Sequence, residues 1–311
     1  MQWKGVISAI TTPFKPDLAV DHAFLAEHAA WQLSSGVDGI VALGSLGEAA
    51  TLSFDEKVAI LRTLAGVMRG KPLVAGIASL STSEAIALAK AAQDIGCSGL
   101  MVLPPYVYST DWREMKAHVA AVIGATKLTC MLYNNPPAYK TDFLAPHVAE
   151  LAAEHENLQA VKESSGDARR VTAVRALCGD RIAVFAGLDD MILEGQRAGA
   201  VGWIAGLVNA LPRETVALFQ NKSDSLYRWF LPLLRLDVVP KFVQLIKLVQ
   251  QEVGHGNERV RPPRLVLAGA EREAALEIIR AALRDRPTEC PAPAGTHAGP
   301  DGNWLKSLDR L

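Results

Sequence analysis

Eight short apolar runs alternate with segments of helical period along the first two thirds of the chain. The runs are rich in Val, Ile, Leu and Ala and cover residues 5–12, 37–43, 73–78, 99–103, 128–133, 158–162, 182–186 and 201–205. Amphipathic segments lie between them, for example at 21–35, 53–69, 82–95, 111–124, 143–155 and 189–198. Such alternation favours parallel strands joined by right-handed crossovers. Eight units within about 200 residues predict an α/β fold, a closed (β/α)8 TIM barrel rather than an open sheet.

Beyond residue 205 the pattern changes to helices only, at 213–219, 225–236, 240–253 and 270–284. These segments predict a C-terminal helical subdomain. The final stretch is rich in Pro, Gly and Ala and has no periodicity, which is typical of a loosely held tail. We therefore expect a barrel domain at 1–212, a helical subdomain at 213–285 and a tail at 286–311.

Composition excludes several classes of protein. Half of the 311 residues are hydrophobic and the formal net charge is −1, so we expect a large core and no nucleic-acid partner. No apolar stretch reaches the roughly 18 residues that span a bilayer, and no signal peptide precedes the first strand, so we expect a cytoplasmic protein without a membrane partner. The four cysteines and seven histidines show no ligand spacing, which predicts neither a metal site nor a disulfide scaffold.

The sixth apolar run ends in a lysine, Lys162. In the ordinary interpretation this residue is the first polar one after a strand and keeps its ammonium in solvent. In the alternative the side chain is enclosed, where burial favours a neutral amine that can attack a carbonyl carbon and form a Schiff base. Strands of a (β/α)8 barrel end at the face that carries active sites. The residues at the other strand ends therefore decide between the two interpretations of Lys162.

Two of those strand ends carry a tyrosine. Tyr106 follows the fourth run, and Tyr133 closes the fifth. A phenol can pass protons to and from a carbonyl or carbinolamine oxygen. Tyrosine also commonly packs at a barrel rim with no chemical role. Their placement beside Lys162 favours the chemical interpretation.

A glycine-rich turn follows the second run and reads Gly44-Ser45-Leu46-Gly47-Glu48. Its glycines permit a tight turn whose amides, with the Ser45 hydroxyl, could hold a carboxylate. A plain turn explains the same residues. The G-x-S-x-G elbow of a hydrolase is excluded because Leu43 stands at its first glycine.

Three motifs together resemble a known family. Residues 44–48 match G-[ST]-[TSL]-G-E, residues 133–136 match Y-N-x-P, and residues 162–167 match K-[ED]-[ST]-[ST]-G-D. In this order and spacing they resemble the dihydrodipicolinate synthase and N-acetylneuraminate lyase superfamily of class I, Schiff-base-forming enzymes. The resemblance extends from residue 3 to about residue 284.

The resemblance implies roles for particular residues. Lys162 would form the imine with a small 2-oxo acid, Tyr133 would relay protons, and Tyr106 would complete the relay of a neighbouring subunit. The substrate-binding positions implied are Ser45, Leu46 through its amide, Gly187, Asp189, Asp190 and Gly206, with both aspartates at the distal end of the substrate. It implies no cofactor besides the covalent imine, no metal, and a homo-oligomer, either a dimer or a tetramer. Glu48 and Asp167 are expected to be structural.

Departures from the family pattern bear on the substrate. Synthases that use aspartate semialdehyde usually carry two hydroxyl residues in the glycine loop, where this chain has Leu46 in second place. They also carry an arginine shortly after Y-N-x-P, where this chain has Ala138, Tyr139 and Lys140. Lysine is a poor geometric substitute for a bidentate guanidinium. These departures disfavour the condensation with aspartate semialdehyde.

G-S-L-G-E, Y-N-N-P-P and residues 226–230 are similar to a branch that includes Δ1-pyrroline-4-hydroxy-2-carboxylate deaminases. The resulting prediction is deamination and dehydration of that cyclic imine to 2-oxoglutarate semialdehyde. A pyruvate-dependent aldolase acting on 4-hydroxy-2-oxoglutarate or a sugar acid stays open, as does a 4-hydroxy-tetrahydrodipicolinate synthase. A barrel that binds a metabolite without turning it over is the remaining alternative, which the retention of Lys162 and Tyr133 disfavours.

Overall fold

In a computed structural model, which describes residues 1–105 and 111–287, the eight apolar runs form a closed parallel barrel. Each strand pairs with the next along the chain, and the last pairs with the first, which confirms the predicted (β/α)8 architecture. The strands are β1 (Gly5–Ala9), β2 (Gly39–Ala42), β3 (Leu73–Ile77), β4 (Gly99–Val102), β5 (Thr129–Asn134), β6 (Leu158–Glu163), β7 (Ala183–Ala186) and β8 (Gly202–Ala205).

Helices surround the barrel and continue after it. They are α1 (His22–Ser34), α2 (Phe54–Ala65), α3 (Thr82–Ile95), α4 (Trp112–Gly124), α5 (Pro136–Tyr139), α6 (Ala145–Glu154), α7 (Arg169–Cys178), α8 (Ile192–Arg197), α9 (Pro212–Asn221), α10 (Asp224–Leu234), α11 (Phe242–Glu252) and α12 (Gly269–Arg284). The helices α9 to α12 form the predicted C-terminal helical part. The boundary at residue 212 between two domains stays a prediction.

Polar caps fix where several helices begin. The carboxylate of Asp21 accepts from the Phe24 amide at 3.1 Å at the start of α1. Ser53 and Glu56 form a reciprocal capping box at the start of α2. These side chains satisfy amides that have no partner inside the helix, which explains why the predicted starts are confirmed.

Register places the inward-facing residues of the barrel. Tyr133 on β5 lies opposite Lys162 on β6, and Lys162 lies opposite Phe185 on β7. Successive side chains on a strand point to opposite faces, so Ala160 and Lys162 share the inner face of β6. Ala160, Tyr133 and Phe185 belong to the apolar cluster inside the barrel. The lysine therefore lies at the mouth end of a packed interior.

The C-terminal helices pack against the mouth side of the barrel. Lys247 on α11 forms a buried ion pair with Glu48, at 2.5 Å between Nζ and Oε1. A 3-10 turn, Arg235–Asp237, between α10 and α11 packs against another, Asp189–Met191, which follows β7. Among residues 1–105 and 111–287, no helix combines the length and apolar character needed to cross a membrane.

Candidate active site

The Lys162 side chain is enclosed at the barrel mouth. Only 7% of the residue is exposed, and its Nζ lies 4.2 Å from the centroid of the Tyr133 ring. The ordinary interpretation of Lys162 as a solvated residue after a strand is therefore wrong. An amine held against an aromatic face at the mouth end of the barrel is suited to attack on a carbonyl carbon.

The hydroxyl of Tyr133 is oriented by the turn that follows its own strand. Asn135 Nδ2 donates to the Tyr133 hydroxyl oxygen at 2.9 Å, and Asn135 Oδ1 accepts from the Ala138 amide at 3.2 Å as the N-cap of α5. Because the phenol oxygen accepts this bond, its own proton is available to a group in the mouth. Tyr133 is therefore placed to exchange a proton beside the Lys162 amine.

Gly187 makes room for the lysine. A Cβ built on this glycine would lie 2.8 Å from both Cγ and Cε of Lys162 and 2.0 Å from Oγ of Ser164. Neither distance leaves space for a methyl group. The structure shows Gly187 packed along the Lys162 chain, so its direct contact with substrate stays a prediction.

The glycine-rich loop is fixed from behind by a buried charge pair. Besides the pair with Lys247, Glu48 accepts from the Arg261 amide at 3.0 Å. Lys247 Nζ also donates to the carbonyl oxygen of Thr12 at 2.8 Å, and burial lowers the pKa of Lys247. These bonds give Glu48 a structural role, as expected. They fix the end of the glycine-rich loop, three residues after Ser45, beside the mouth.

Asp189 does not reach toward the distal end of a substrate, and that prediction is corrected. Its carboxylate is fully buried and accepts from Trp203 Nε1 at 2.9 Å, the Gly206 amide at 3.1 Å and the Leu207 amide at 2.7 Å. Burial is the main reason that the pKa of Asp189 is raised to about 6. The residue ties β7 to the turn after β8. The Gly206 amide is used in the same bond, so it too serves the fold rather than a substrate.

An acidic side chain that the sequence pattern did not indicate lies over Gly206. A Cβ built on Gly206 would fall 2.1 Å from Oδ1 of Asp237. Burial, with the neighbouring negative charge of Asp189, raises the pKa of Asp237 well above its usual range, while the Lys162 charge acts in the opposite sense. Asp190 is half-buried nearby, and burial raises its pKa too. One wall of the mouth is therefore acidic.

A second residue missing from the sequence prediction is Tyr139, at the end of α5. Its hydroxyl forms a hydrogen bond with the Ser45 hydroxyl, and its ring meets the Tyr133 ring edge to face, with centroids 5.8 Å apart and planes at 89°. Leu46 follows Ser45 and is 4% exposed. Tyr106 lies outside the described residues, so its place in the relay stays a prediction.

Comparison with known proteins agrees with this geometry. Residues 2–282 match the model of the dihydrodipicolinate synthetase family. The chain belongs to that family. Two curated relatives are the 4-hydroxy-tetrahydrodipicolinate synthases of Geotalea uraniireducens, 33% identical over 89% of this chain and 98% of the relative, and of Agrobacterium fabrum, 32% identical over 88% and 96%.

Solved structures of dihydrodipicolinate synthetase family members share the fold. The 4-hydroxy-tetrahydrodipicolinate synthase of Methylacidiphilum fumariolicum matches with a TM-score of 0.86 and 26% identity, over 91% of this chain and 98% of that one. A dihydrodipicolinate synthase of Bacillus anthracis matches with a TM-score of 0.85 and 27% identity, over 90% and 99%. Membership makes this protein a Schiff-base-forming lyase and confirms the predicted superfamily.

Proposed function

We propose that this lyase acts on a small 2-oxo acid or its cyclic imine, and that its reaction is the deamination and dehydration of Δ1-pyrroline-4-hydroxy-2-carboxylate. The observation that carries the proposal is the enclosed Lys162 amine beside Tyr133, facing an acidic wall at the barrel mouth. Lys162 and Tyr133 supply the Schiff-base chemistry common to the family. The acidic wall favours this substrate among those the chemistry can serve.

The reaction begins with attack of the Lys162 amine on C2 of the cyclic imine. Breakage of the bond between C2 and the ring nitrogen then leaves a ketimine on Lys162 and a free primary amine at C5. The ketimine withdraws electrons, so a proton can leave C3. Tyr133, or a water that it orients, is placed to carry that proton.

Loss of the C3 proton expels the 4-hydroxyl group as water, and the double bond shifts until C5 becomes an imine carbon. Water then hydrolyses both the C5 imine and the bond to Lys162. The products are ammonia and 2-oxoglutarate semialdehyde, and the balance is one water consumed for each ammonia released. Every step uses the amine, the phenol and water alone.

The acidic wall distinguishes this substrate from dicarboxylic ones. Ring opening creates an ammonium at C5, and a cation beside Asp190 and Asp237 relieves the mutual repulsion of the carboxylates. A second carboxylate, as in 4-hydroxy-2-oxoglutarate, would add negative charge beside these acidic side chains instead of relieving their repulsion.

A 4-hydroxy-tetrahydrodipicolinate synthase is the second candidate, because the curated relatives carry that name. Against it, Ala138 provides no guanidinium for a second carboxylate. Lys140 does not replace one, since its Nζ donates to the Pro137 carbonyl oxygen of its own turn at 3.0 Å. Neither of these two residues thus supplies the charge that such a substrate needs.

The deciding experiment compares three reactions of the purified protein. Ammonia release from Δ1-pyrroline-4-hydroxy-2-carboxylate is measured beside pyruvate release from 4-hydroxy-2-oxoglutarate and beside condensation of pyruvate with aspartate semialdehyde. We expect ammonia release to have the highest kcat/KM by at least tenfold. Asp237→Asn should raise the KM for the cyclic imine and leave pyruvate capture at Lys162 unchanged. No ammonia release, with turnover of either other substrate, would contradict the proposal.

The expected assembly is a homo-oligomer, a dimer or a tetramer, with Tyr106 near a subunit contact. Light scattering on the intact protein tests it. A mass of one chain across micromolar concentrations would contradict it.

A further inference from the structure

The hydroxyl groups of Ser45 and Tyr139 form a hydrogen bond with each other beside the barrel mouth. We infer that Tyr139 is a positioning residue that acts through Ser45, aiming the Ser45 hydroxyl at the carboxylate of the bound 2-oxo acid. The inference rests on the proposed function only in requiring that a 2-oxo acid binds at Lys162. It gives a residue of α5 a part in substrate recognition that no motif of the sequence assigns.

The turn that carries Tyr139 is built to hold it in place. Pro136 stands at the first helical position, where its fixed φ suits a helix start. The Tyr139 amide donates to the Asn135 carbonyl oxygen at 3.0 Å, and Lys140 ends the turn with a φ of +60°. The side chain of the same Asn135 donates to the Tyr133 hydroxyl, so the two phenols extend from one short turn.

The direction of the hydrogen bond follows from acidity. A phenol is the stronger proton donor of the two hydroxyls, so Tyr139 donates to Ser45 Oγ, and the Ser45 proton remains free for another acceptor. A hydroxyl that accepts one hydrogen bond donates a stronger one, because the two bonds polarise each other. Ser45 is thereby prepared to donate to a carboxylate oxygen.

The glycine loop explains why such support is needed. Leu46 offers only its backbone amide to a carboxylate, since its side chain carries no hydroxyl and is buried. The glycine-rich loop therefore supplies one hydroxyl, that of Ser45, and Tyr139 supplies a second from the neighbouring side of the mouth. Tyr139 is half-buried, whereas Tyr133 is enclosed, so Tyr139 is the more accessible of the two phenols.

Tyr139→Phe removes only the hydroxyl, because a phenylalanine ring keeps the edge-to-face contact with Tyr133. The test uses pyruvate, which has a carboxylate and no distal group, and borohydride, which reduces the imine to a stable adduct on Lys162. The pyruvate concentration that gives half the maximal trapping rate should rise about tenfold, the size of one weakened bond to a charged group. The maximal trapping rate should stay within about threefold of wild type.

A double-mutant cycle separates action through Ser45 from a structural effect. Ser45→Ala should raise the half-saturating pyruvate concentration at least as much as Tyr139→Phe does. Adding Tyr139→Phe to Ser45→Ala should then change it by less than about twofold. Full additivity, or an unchanged half-saturating concentration in Tyr139→Phe, would overturn the inference.

Tyr227→Phe is the matched control. Tyr227 is a half-buried phenol whose hydroxyl contacts the Asp190 carbonyl oxygen and, at 3.1 Å, Glu194 Oε2. We expect this variant to bind pyruvate as the wild type does. If the wild-type protein itself formed no adduct, the Schiff-base proposal would fall together with the inference. An adduct that is insensitive to Tyr139→Phe would remove the inference alone.

Discussion

Gly187→Ala should displace Lys162, the residue that we propose forms the imine, without changing the fold. The new methyl carbon would lie 2.8 Å from Cγ and Cε of Lys162, about 0.6 Å short of the 3.4 Å at which ordinary contact begins. The φ of Gly187 is not in the left-handed region, so the backbone itself tolerates alanine. Since the barrel interior is close-packed, the lysine chain must give way. A reacting group misplaced by about 1 Å can lose about 100-fold in rate.

The neighbouring Ser164 has to be separated from this effect. Its Oγ would lie only 2.0 Å from the same methyl carbon, and among the described residues it has no hydrogen-bond partner to lose. Gly187→Ala combined with Ser164→Ala removes that overlap and keeps the overlap with Lys162. We expect the double variant to trap pyruvate between about 10 and 100 times more slowly than Ser164→Ala alone.

The assay is the rate of borohydride-stabilised adduct formation, followed by intact mass. Thermal unfolding checks that the double variant is folded, and overpacking should cost about 1–3 kcal/mol. Gly124→Ala at the end of α4 is the control, because a Cβ there meets nothing within 4 Å. It should trap pyruvate normally and gain up to about 1 kcal/mol in stability. Wild-type trapping by the double variant would refute the geometry assigned to Lys162.

Three further predictions concern single residues. Tyr133→Phe should lower kcat by about 100-fold or more and change substrate binding much less; unchanged kcat would remove its relay role. Glu48→Gln should cost about 3–5 kcal/mol in urea unfolding, because the Lys247 ammonium stays buried without its counter-charge; a loss below 1 kcal/mol would contradict this. Burial lowers the pKa of His28 from 6.5 to about 4, so the unfolded chain binds more protons between those pH values. The free energy of unfolding should therefore fall by about 2 kcal/mol from pH 7 to pH 5, and His28→Gln should flatten that fall.

Sequence pattern predicts the barrel and its two central residues because both depend on local rules. Strand period and strand ends place Lys162 and Tyr133 at the mouth, and parallel pairing sets them opposite each other. The helix starts at Asp21 and Ser53 are likewise local, since a cap serves amides two or three residues away.

The other residues of the candidate site depend on contacts between distant parts of the chain. Asp189 follows a strand end, as a substrate ligand would, yet the amides after β8 capture its carboxylate. Asp237 belongs to the C-terminal helices and reaches the mouth only because the turn that carries it packs on the turn after β7. Tyr139 lies in a four-residue helix too short to give a periodic signal. No local pattern records such packing.

The most direct measurement of the central claim is the site of a trapped adduct. The intact protein is incubated with pyruvate and borohydride, digested, and its peptides are analysed by mass spectrometry, with Lys162→Ala as the paired variant. The account predicts one reduced pyruvyl group on Lys162 in the wild type and none in a folded Lys162→Ala protein. An adduct on another lysine, or no adduct at saturating pyruvate, would contradict it.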